Sequence, residues 1–223
     1  KTYKPGSVAA RISMATHRLI LPAAYMADRQ NFEADMHAKM PAIGQIYMQY
    51  WQRCRQSNVM DFDDLLLYTW MLFTEHPEIA QKWEDRFHFV LVDEYQDTNH
   101  AQYLIVWLLT QHRQRVCVVG DDAQSIYSFR GANIDNVLRF RDQYSGSKLF
   151  KLEQNYRSTQ TIVSAANSLI SHNRGQIHKE VYSRKDMGEP ISVLQTYSDI
   201  DEANAAMRCV REIHRNECIP YSQ

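Results

Sequence analysis

The amino-acid sequence predicts an α/β fold in which a parallel sheet follows an all-helical block. Two short apolar runs, Phe89–Val92 and Val116–Val119, lack polar alternation, which is typical of strands buried on both faces of a parallel sheet. A helical pattern separates them, and the order strand, helix, strand indicates parallel βαβ units. Residues 1–86 show helical periodicity and no strand pattern.

In the helical block, apolar residues recur at spacings of three and four. Pro41 suits the first turn of a helix whose apolar stripe runs from Ile43 to Cys54. Asp61 is a good N-cap for the next helix, with Asp64 in its first turn. We expect the buried side of that second helix to consist of Leu65, Leu66, Thr69, Leu72 and Phe73.

Further elements are expected along the rest of the chain. The sequence predicts, in order, a helix over 99–112, a helix over 134–144 capped by Asn133, a strand over 148–152, a helix over 158–172 capped by Ser158, an irregular loop over 174–189, a strand over 191–196 and a last helix capped by Ser198.

Composition limits the classes of function. The chain has 223 residues, 44% hydrophobic and 23% charged, and a net charge of −1, which is typical of a soluble globular protein. A protein that binds only phosphate backbones is usually basic, so nucleic-acid contacts here would be local or would rely on stacking. The four cysteines and nine histidines show no metal-ligand spacing. No membrane-spanning run or signal peptide is visible, and we expect a cytoplasmic protein.

Three polar stretches follow predicted strands directly, and we expect all three to open on the same edge of one sheet. They are Asp93-Glu94-Tyr95-Gln96-Asp97-Thr98, the stretch from Gly120-Asp121-Asp122-Ala123-Gln124 to Arg130-Gly131-Ala132, and Leu152-Glu153-Gln154-Asn155-Tyr156-Arg157-Ser158. Carboxylate, amide and guanidinium groups at one edge suit a nucleoside triphosphate with its metal ion. Exposed aromatic residues beside them suit stacking on bases. The alternative for the paired acids alone is a solvated acidic loop after a core strand.

These stretches resemble the second, third and fourth motifs of superfamily 1 DNA helicases of the UvrD/Rep/PcrA type. The segment Asn58-Val59-Met60-Asp61-Phe62-Asp63-Asp64-Leu65-Leu66 is similar to the segment that precedes the acidic motif in that family. The resemblance implies a helical accessory domain over 1–86, the latter part of a first RecA-like motor domain over 87–153, and the start of a second over 154–223. It also implies ATP and Mg²⁺ as cofactors, single-stranded and duplex DNA as partners, and 3′ to 5′ translocation.

The resemblance further implies a role for each matching residue. Asp93 would hold Mg²⁺, and Glu94 would activate the attacking water. Gln124 would sense the terminal phosphate and couple it to DNA. The remaining roles are adenine stacking by Tyr156, stabilisation of the terminal phosphate by Arg157, and base stacking by Tyr127 and Phe129. Tyr95 and Asp97 would have orienting roles only, and Arg130 has no assigned partner.

Each role has an alternative. Tyr156 could be a packing aromatic residue, Arg157 a surface ion pair, and Tyr127 with Phe129 part of the core. Phe129 also stands where the family usually has Trp, and the smaller ring offers less stacking area.

No Gly-x-x-x-x-Gly-Lys-Ser/Thr loop occurs in the sequence. We therefore expect an internal piece of a longer helicase, with the phosphate-binding loop before Lys1 and later motifs after Gln223. By itself this piece is expected to be inactive. Two rival functions remain open: the motor subunit of a helicase–nuclease, and a non-catalytic interaction module that keeps the fold.

Overall fold

The computed structural model describes residues 3–222, which divide into two compact units. The first unit contains the residues up to Lys151 together with Asn173–His178, and the second contains Leu152–His172 together with the residues from Lys179 on. The predicted domain limits at residues 1 and 223 lie outside the described residues. The predicted boundaries after residues 86 and 153 stay predictions.

The first unit is mainly helical. Its helices are α1 (Pro5–His17), α2 (Pro22–Ala27), α3 (Arg29–His37), α4 (Ile43–Gln56), α5 (Phe62–Glu75), α6 (Pro77–Arg86), α7 (His100–Leu108), α8 (Asp135–Leu138) and α9 (Phe140–Gln143). Its strands are β1 (Val90–Val92) and β2 (Val116–Val118). Short 3-10 turns occupy Tyr95–Asp97, Asp122–Gln124 and Ser128–Arg130.

The core of the helical part lies between α1, α2 and α4. It is built from the buried side chains of Ile12, Ala15, Tyr25, Met40, Ile43 and Tyr47. Tyr47 also satisfies its hydroxyl there, because it donates to the Ile20 carbonyl at 3.0 Å and lies 3.1 Å from Thr16 Oγ1. Asp35 is buried beside this core, where it accepts hydrogen bonds from Arg11 and Tyr25. Burial and the neighbouring Asp35 raise the pKa of Tyr25 to about 12.

Helix α5 begins as the sequence predicts but buries a different face. Asp61 accepts from the Asp64 amide at 2.8 Å and the Asp64 carboxylate accepts from the Asp61 amide, which makes a capping box. The buried residues are Asp64, Leu67 and Phe73, whereas Leu65 and Leu72 are exposed. The predicted face was wrong at these positions because α5 packs against α1, α6 and α7, and these neighbours determine which side is covered.

The two strands of the first unit pair in parallel, as predicted, with Val90 opposite Val116 and Val92 opposite Val118. Burial on both faces was wrong, because the Leu91 side chain is 77% exposed and its partner Cys117 is also exposed. A strand is buried on both faces only if layers pack on both sides, and within residues 3–222 only the valine side of this pair is partly covered.

The second unit has its own two-stranded parallel sheet. Strand β3 (Gln154–Asn155) pairs with β4 (Tyr182–Ser183), and the helices are α10 (Gln160–Ile170) and α11 (Asp199–Glu217). Ser198 caps α11 as predicted by accepting from the Asp201 amide at 3.2 Å. Residue 159, rather than the predicted Ser158, is the N-cap of α10.

Two predicted strands are absent from the described part of the chain. Neither Lys148–Leu152 nor Ile191–Thr196 forms a strand, although both are rich in apolar residues. A strand requires a partner for its backbone groups, and these segments have none in either sheet. The expectation that all three motif stretches open on one sheet was therefore wrong, because β1–β2 and β3–β4 are separate sheets. A complete RecA-like motor fold stays a prediction.

The helix predicted over residues 134–144 is interrupted at Arg139, between α8 and α9. Asn136 and Tyr144 are both buried, and on one continuous helix they would lie about 80° apart around the axis. Asn136 Nδ2 donates to the Thr98 carbonyl, and the Tyr144 hydroxyl lies 2.6 Å from Thr110 Oγ1. The two anchors thus lie on either side of the break at Arg139.

No helix within residues 3–222 has the length and apolar character needed to cross a membrane.

Candidate functional site

The carboxyl ends of β1 and β2 form the edge at which the first two motifs meet. The Val119 amide donates to the Val92 carbonyl at 2.8 Å, and the Tyr95 amide donates to the Val119 carbonyl at 3.0 Å. Parallel pairing places Asp93 and Glu94 beside the Gly120-Asp121 turn. The sequence-based expectation that these two motifs share one edge is confirmed.

Asp93 and Glu94 are both exposed at this edge. Asp93 Oδ1 accepts from the Glu94 amide at 2.9 Å. Glu94 has a left-handed backbone with φ of 51°, a conformation that costs a non-glycine residue about 1–2 kcal/mol. The turn that follows buries Tyr95 and Gln96, which holds the strained residue in place.

Gln96 joins the acidic motif, residues 93–98, to the stretch over residues 120–132 that contains Gln124 and is called the glutamine motif below. The sequence analysis missed this contact. Its side chain is almost fully buried. Gln96 Nε2 donates to Glu94 Oε2 at 2.7 Å, and Gln96 Oε1 accepts from the Asp121 amide at 3.0 Å. Gly120 makes room for this contact, since a Cβ atom there would lie 2.7 Å from Gln96 Oε1. Two features of the sequence could have indicated this contact: the amide side chain of Gln96, two positions after Glu94, and Gly120 directly after the second predicted strand.

Gln124 continues the same hydrogen-bonded line. It ends the 3-10 turn Asp122–Gln124, and its Nε2 donates to Asp121 Oδ2 at 2.8 Å. The other oxygen of Asp121 accepts from the Ala123 amide at 3.1 Å. Glu94, Gln96, Asp121 and Gln124 are thus connected in series by hydrogen bonds, with Asp121 contributing its backbone amide to Gln96 and its carboxylate to Gln124.

The two residues with expected orienting roles differ in their surroundings. Tyr95 packs edge-on against Phe140, with ring centroids 5.9 Å apart, and burial raises the pKa of its hydroxyl. Asp97 Oδ1 is buried and has no hydrogen-bond partner within residues 3–222.

Tyr127 and Phe129 form an exposed aromatic pair after Gln124. Their ring centroids lie 6.0 Å apart, and the side chains are 38% and 70% exposed. The alternative that both belong to the core is therefore wrong for this unit. The Arg130 guanidinium lies 5.1 Å from the Tyr127 ring centroid and 5.5 Å from that of Phe129. These rings are the partners of Arg130 that the sequence did not reveal, and the cation–π contacts hold the pair together.

Tyr156 and Arg157 belong to the second unit, where they lie on one turn after β3. Asn155 Oδ1 accepts from the amides of Arg157 and Ser158 at 2.9 and 2.8 Å, which fixes the turn. Tyr156 is 75% exposed and donates to Gln154 Oε1 at 3.1 Å, so it is not a packing residue of this unit. Arg157 makes no ion pair with any described residue, so the surface ion-pair alternative finds no support.

The acidic motif fits a magnesium ion only in part. No group of three or more His, Cys, Asp or Glu side chains that could hold a metal occurs within residues 3–222. Mg²⁺ is usually bound by one or two carboxylates, with water and substrate phosphates completing its six ligands. The exposed Asp93 carboxylate suits this mode of binding. Each of the two carboxylates has one oxygen in a hydrogen bond, Asp93 Oδ1 with the Glu94 amide and Glu94 Oε2 with Gln96, so each keeps a second oxygen for a metal ion or a water.

Comparisons with known proteins agree with these motifs. The model of the UvrD/REP helicase N-terminal domain matches residues 1–145, and that of the UvrD-like helicase C-terminal domain matches residues 150–222. The chain belongs to the UvrD/REP helicase family. The two matched regions are separated by residues 146–149, and the second unit begins at Leu152.

Relatives of this UvrD/REP chain are named as helicases. The chain is 36% identical over 220 residues to ATP-dependent DNA helicase PcrA of Leuconostoc citreum, which covers 99% of this chain and 29% of that protein. The chain is 39% identical over 203 residues to a probable DNA helicase II homologue of Rickettsia felis, and the match covers 91% of this chain and 30% of that protein. ATP-dependent DNA helicase PcrA of Staphylococcus aureus is 38% identical over 216 residues, and the match covers 97% of this chain and 29% of that protein. The chain thus spans about three tenths of the length of these relatives.

Proposed function

We propose that this chain contributes the acidic, glutamine and aromatic motifs of an ATP-dependent DNA helicase. One observation carries the proposal: hydrogen bonds connect Glu94 through Gln96 and Asp121 to Gln124, which precedes the exposed pair Tyr127 and Phe129 by three and five positions on the same loop. These bonds and this loop join a candidate hydrolytic carboxylate to a candidate base-stacking surface. A helicase needs this link, because hydrolysis must respond to DNA.

The acidic motif would act on Mg-ATP. Asp93 would bind the metal ion, which when bound neutralises charge on the phosphates. Glu94 would accept a proton from the attacking water. Its exposed carboxylate is oriented by Gln96 on one side and by the strained backbone on the other. Gln124 would sense the terminal phosphate by exchanging its bond to Asp121 for one to a phosphate oxygen.

The remaining roles follow the family resemblance. Tyr156 would stack on adenine with its exposed ring, and Arg157 would stabilise charge on the terminal phosphate. Tyr127 and Phe129 would stack on bases of single-stranded DNA, which accounts for a nucleic-acid site in a chain of net charge −1. Translocation 3′ to 5′, duplex unwinding and a cytoplasmic location belong to the same proposal.

Substitution of the two acids tests the proposal in the longer parent protein expected from the sequence. We expect Glu94→Gln to reduce ATP hydrolysis by at least about 100-fold while Mg-ATP binding is largely kept, because the amide cannot accept a proton. Asp93→Asn should instead weaken the metal-dependent part of binding. The matched control is Glu75→Gln at the end of α5. Hydrolysis by Glu94→Gln near the parental rate would refute the assignment of the base.

A further inference from the structure

His17, the last residue of α1, contacts two segments that are distant in sequence. Its Nε2 lies 2.8 Å from Asp63 Oδ1 at the start of α5, and its Nδ1 lies 3.2 Å from the carbonyl oxygen of Arg130. We propose that His17 fixes the aromatic loop, residues 126–132, on the helices of the first unit and is thereby a positioning residue for single-stranded DNA. The DNA part of this inference rests on the proposed function.

Both contacts of the imidazole ring are to oxygen atoms. A carbonyl oxygen and a carboxylate oxygen both accept hydrogen bonds and neither donates. An imidazole donates through a ring nitrogen that carries a proton, so the tautomer decides which of the two contacts is a hydrogen bond. The ring is also well enclosed, with 16% of the side chain exposed, and Asp63 is mostly covered beside it. His17 is therefore a largely enclosed side chain whose two ring nitrogens contact two different segments of the chain.

The aromatic loop is shaped to receive this ring. Gly131 has φ of 90°, a left-handed conformation that favours glycine. A Cβ atom at this position would lie 3.2 Å from His17 Nδ1 and 3.6 Å from Met14 Sδ, so a larger residue would press on α1. Glycine thus allows the Arg130 carbonyl to approach the end of the helix.

Arg130 connects His17 to the exposed rings. Its carbonyl is bound by His17, while its guanidinium lies over both Tyr127 and Phe129. Fixing one backbone atom of this residue therefore limits the positions of both rings.

The other end of the loop is fixed separately. Ala132 forms a β-bridge with Asn99, and the Asn133 amide donates to the Thr98 carbonyl at 3.1 Å. Within the loop, backbone amides of Arg130 and Ala132 donate to the Tyr127 carbonyl, and the Gly131 amide donates to the Ser128 carbonyl. A loop ordered in advance loses less conformational freedom when a base stacks on it, which favours binding.

The first experiment measures loop order without DNA. Amide hydrogen exchange of the 223-residue chain is followed by mass spectrometry for His17→Phe, which keeps a ring but has no donor, and for His17→Gln, which keeps one donor. We expect residues 126–132 to exchange about three- to tenfold faster in His17→Phe, with partial recovery in His17→Gln. The matched control is His37→Phe, since His37 is an exposed histidine at the last residue of α3. Unchanged exchange in the loop would overturn the inference.

The second experiment measures affinity for a fluorescent oligothymidylate by anisotropy at several salt concentrations. We expect His17→Phe to weaken binding about three- to tenfold with the same salt slope, because no phosphate contact is removed. In a Phe129→Ala background the same substitution should have no further effect, because the ring that it positions is gone. An equal effect in both backgrounds, or unchanged affinity, would overturn the inference. If the wild-type chain bound no DNA, the proposed function would fail, while the exchange experiment would still decide whether His17 fixes the loop.

Discussion

Replacement of Gln96 by leucine isolates the link between the acidic and glutamine motifs. Leucine has a similar volume, so Gln96→Leu leaves no large cavity but removes one donor and one acceptor from a buried position. The Asp121 amide loses its partner, and a buried donor left unsatisfied costs about 1–3 kcal/mol. The exposed Glu94 carboxylate can turn to water, so its lost bond should add only about 1 kcal/mol. We expect the free energy of unfolding of the first unit to fall by about 2–4 kcal/mol in total.

Urea unfolding followed by tryptophan fluorescence measures this free energy for the first unit alone. All four tryptophans (Trp51, Trp70, Trp83 and Trp107) lie in that unit. Gln52→Leu is the matched control, because Gln52 is exposed on α4. Hydrogen exchange should also show faster exchange of the Asp121 amide in Gln96→Leu.

The reasoning would be refuted if Gln96→Leu unfolded within about 0.5 kcal/mol of the wild type, the range usual for surface substitutions, with the Asp121 amide still protected. A loss of stability with normal protection at Asp121 would place the effect elsewhere in the turn and would also contradict the proposed line of contacts.

Three further outcomes follow from the structure. Phe129→Ala should weaken binding of single-stranded DNA by about 1–3 kcal/mol in an anisotropy titration, and Phe129→Trp should keep or improve it, because stacking area is the quantity changed. Gly120→Ala should destabilise the first unit by about 1–3 kcal/mol in urea, because its Cβ would collide with Gln96 Oε1. Burial alone would raise the pKa of Glu84, but hydrogen bonds from the His112 ring and from backbone amides outweigh it and lower that pKa. A lowered folded-state pKa stabilises the fold at pH values above the unfolded pKa of about 4.3, and this contribution is lost as the pH falls through the folded pKa. In Glu84→Gln the free energy of unfolding, measured in urea at several pH values, should therefore change less with pH on the acid side.

Local signals in the sequence predicted local structure well. Asp61 and Ser198 cap the helices they were expected to cap, and the apolar runs before Asp93 and Gly120 form paired parallel strands. A cap is decided by bonds between residues three positions apart, so the sequence around it contains all the necessary information.

Strand pairing away from the first sheet could not be predicted in this way. The apolar segments over 148–152 and 191–196 remain unpaired, whereas Tyr182–Ser183, in a segment expected to be irregular, pairs with Gln154–Asn155. The pairing is made by backbone groups 28 positions apart, as for Gln154 and Tyr182, and depends on the turn at Asn155 and on contacts of α10 with the segment after β4. Hydrophobicity of the strand residues does not decide it.

The sequence by itself determined which chemical groups stand at the strand ends: the carboxylates of Asp93 and Glu94, the amide of Gln124 and the rings of Tyr127 and Phe129. Tertiary structure alone decided how these groups are connected. Gln96 contacts Asp121, which is 25 positions away in the sequence. His17 contacts Asp63 and Arg130, which are 46 and 113 positions away. Such contacts depend on how separate helices and strands pack, because a side chain can bond only to groups that the fold brings within about 3 Å. Residue type limits which bonds can form, and packing selects the ones that do.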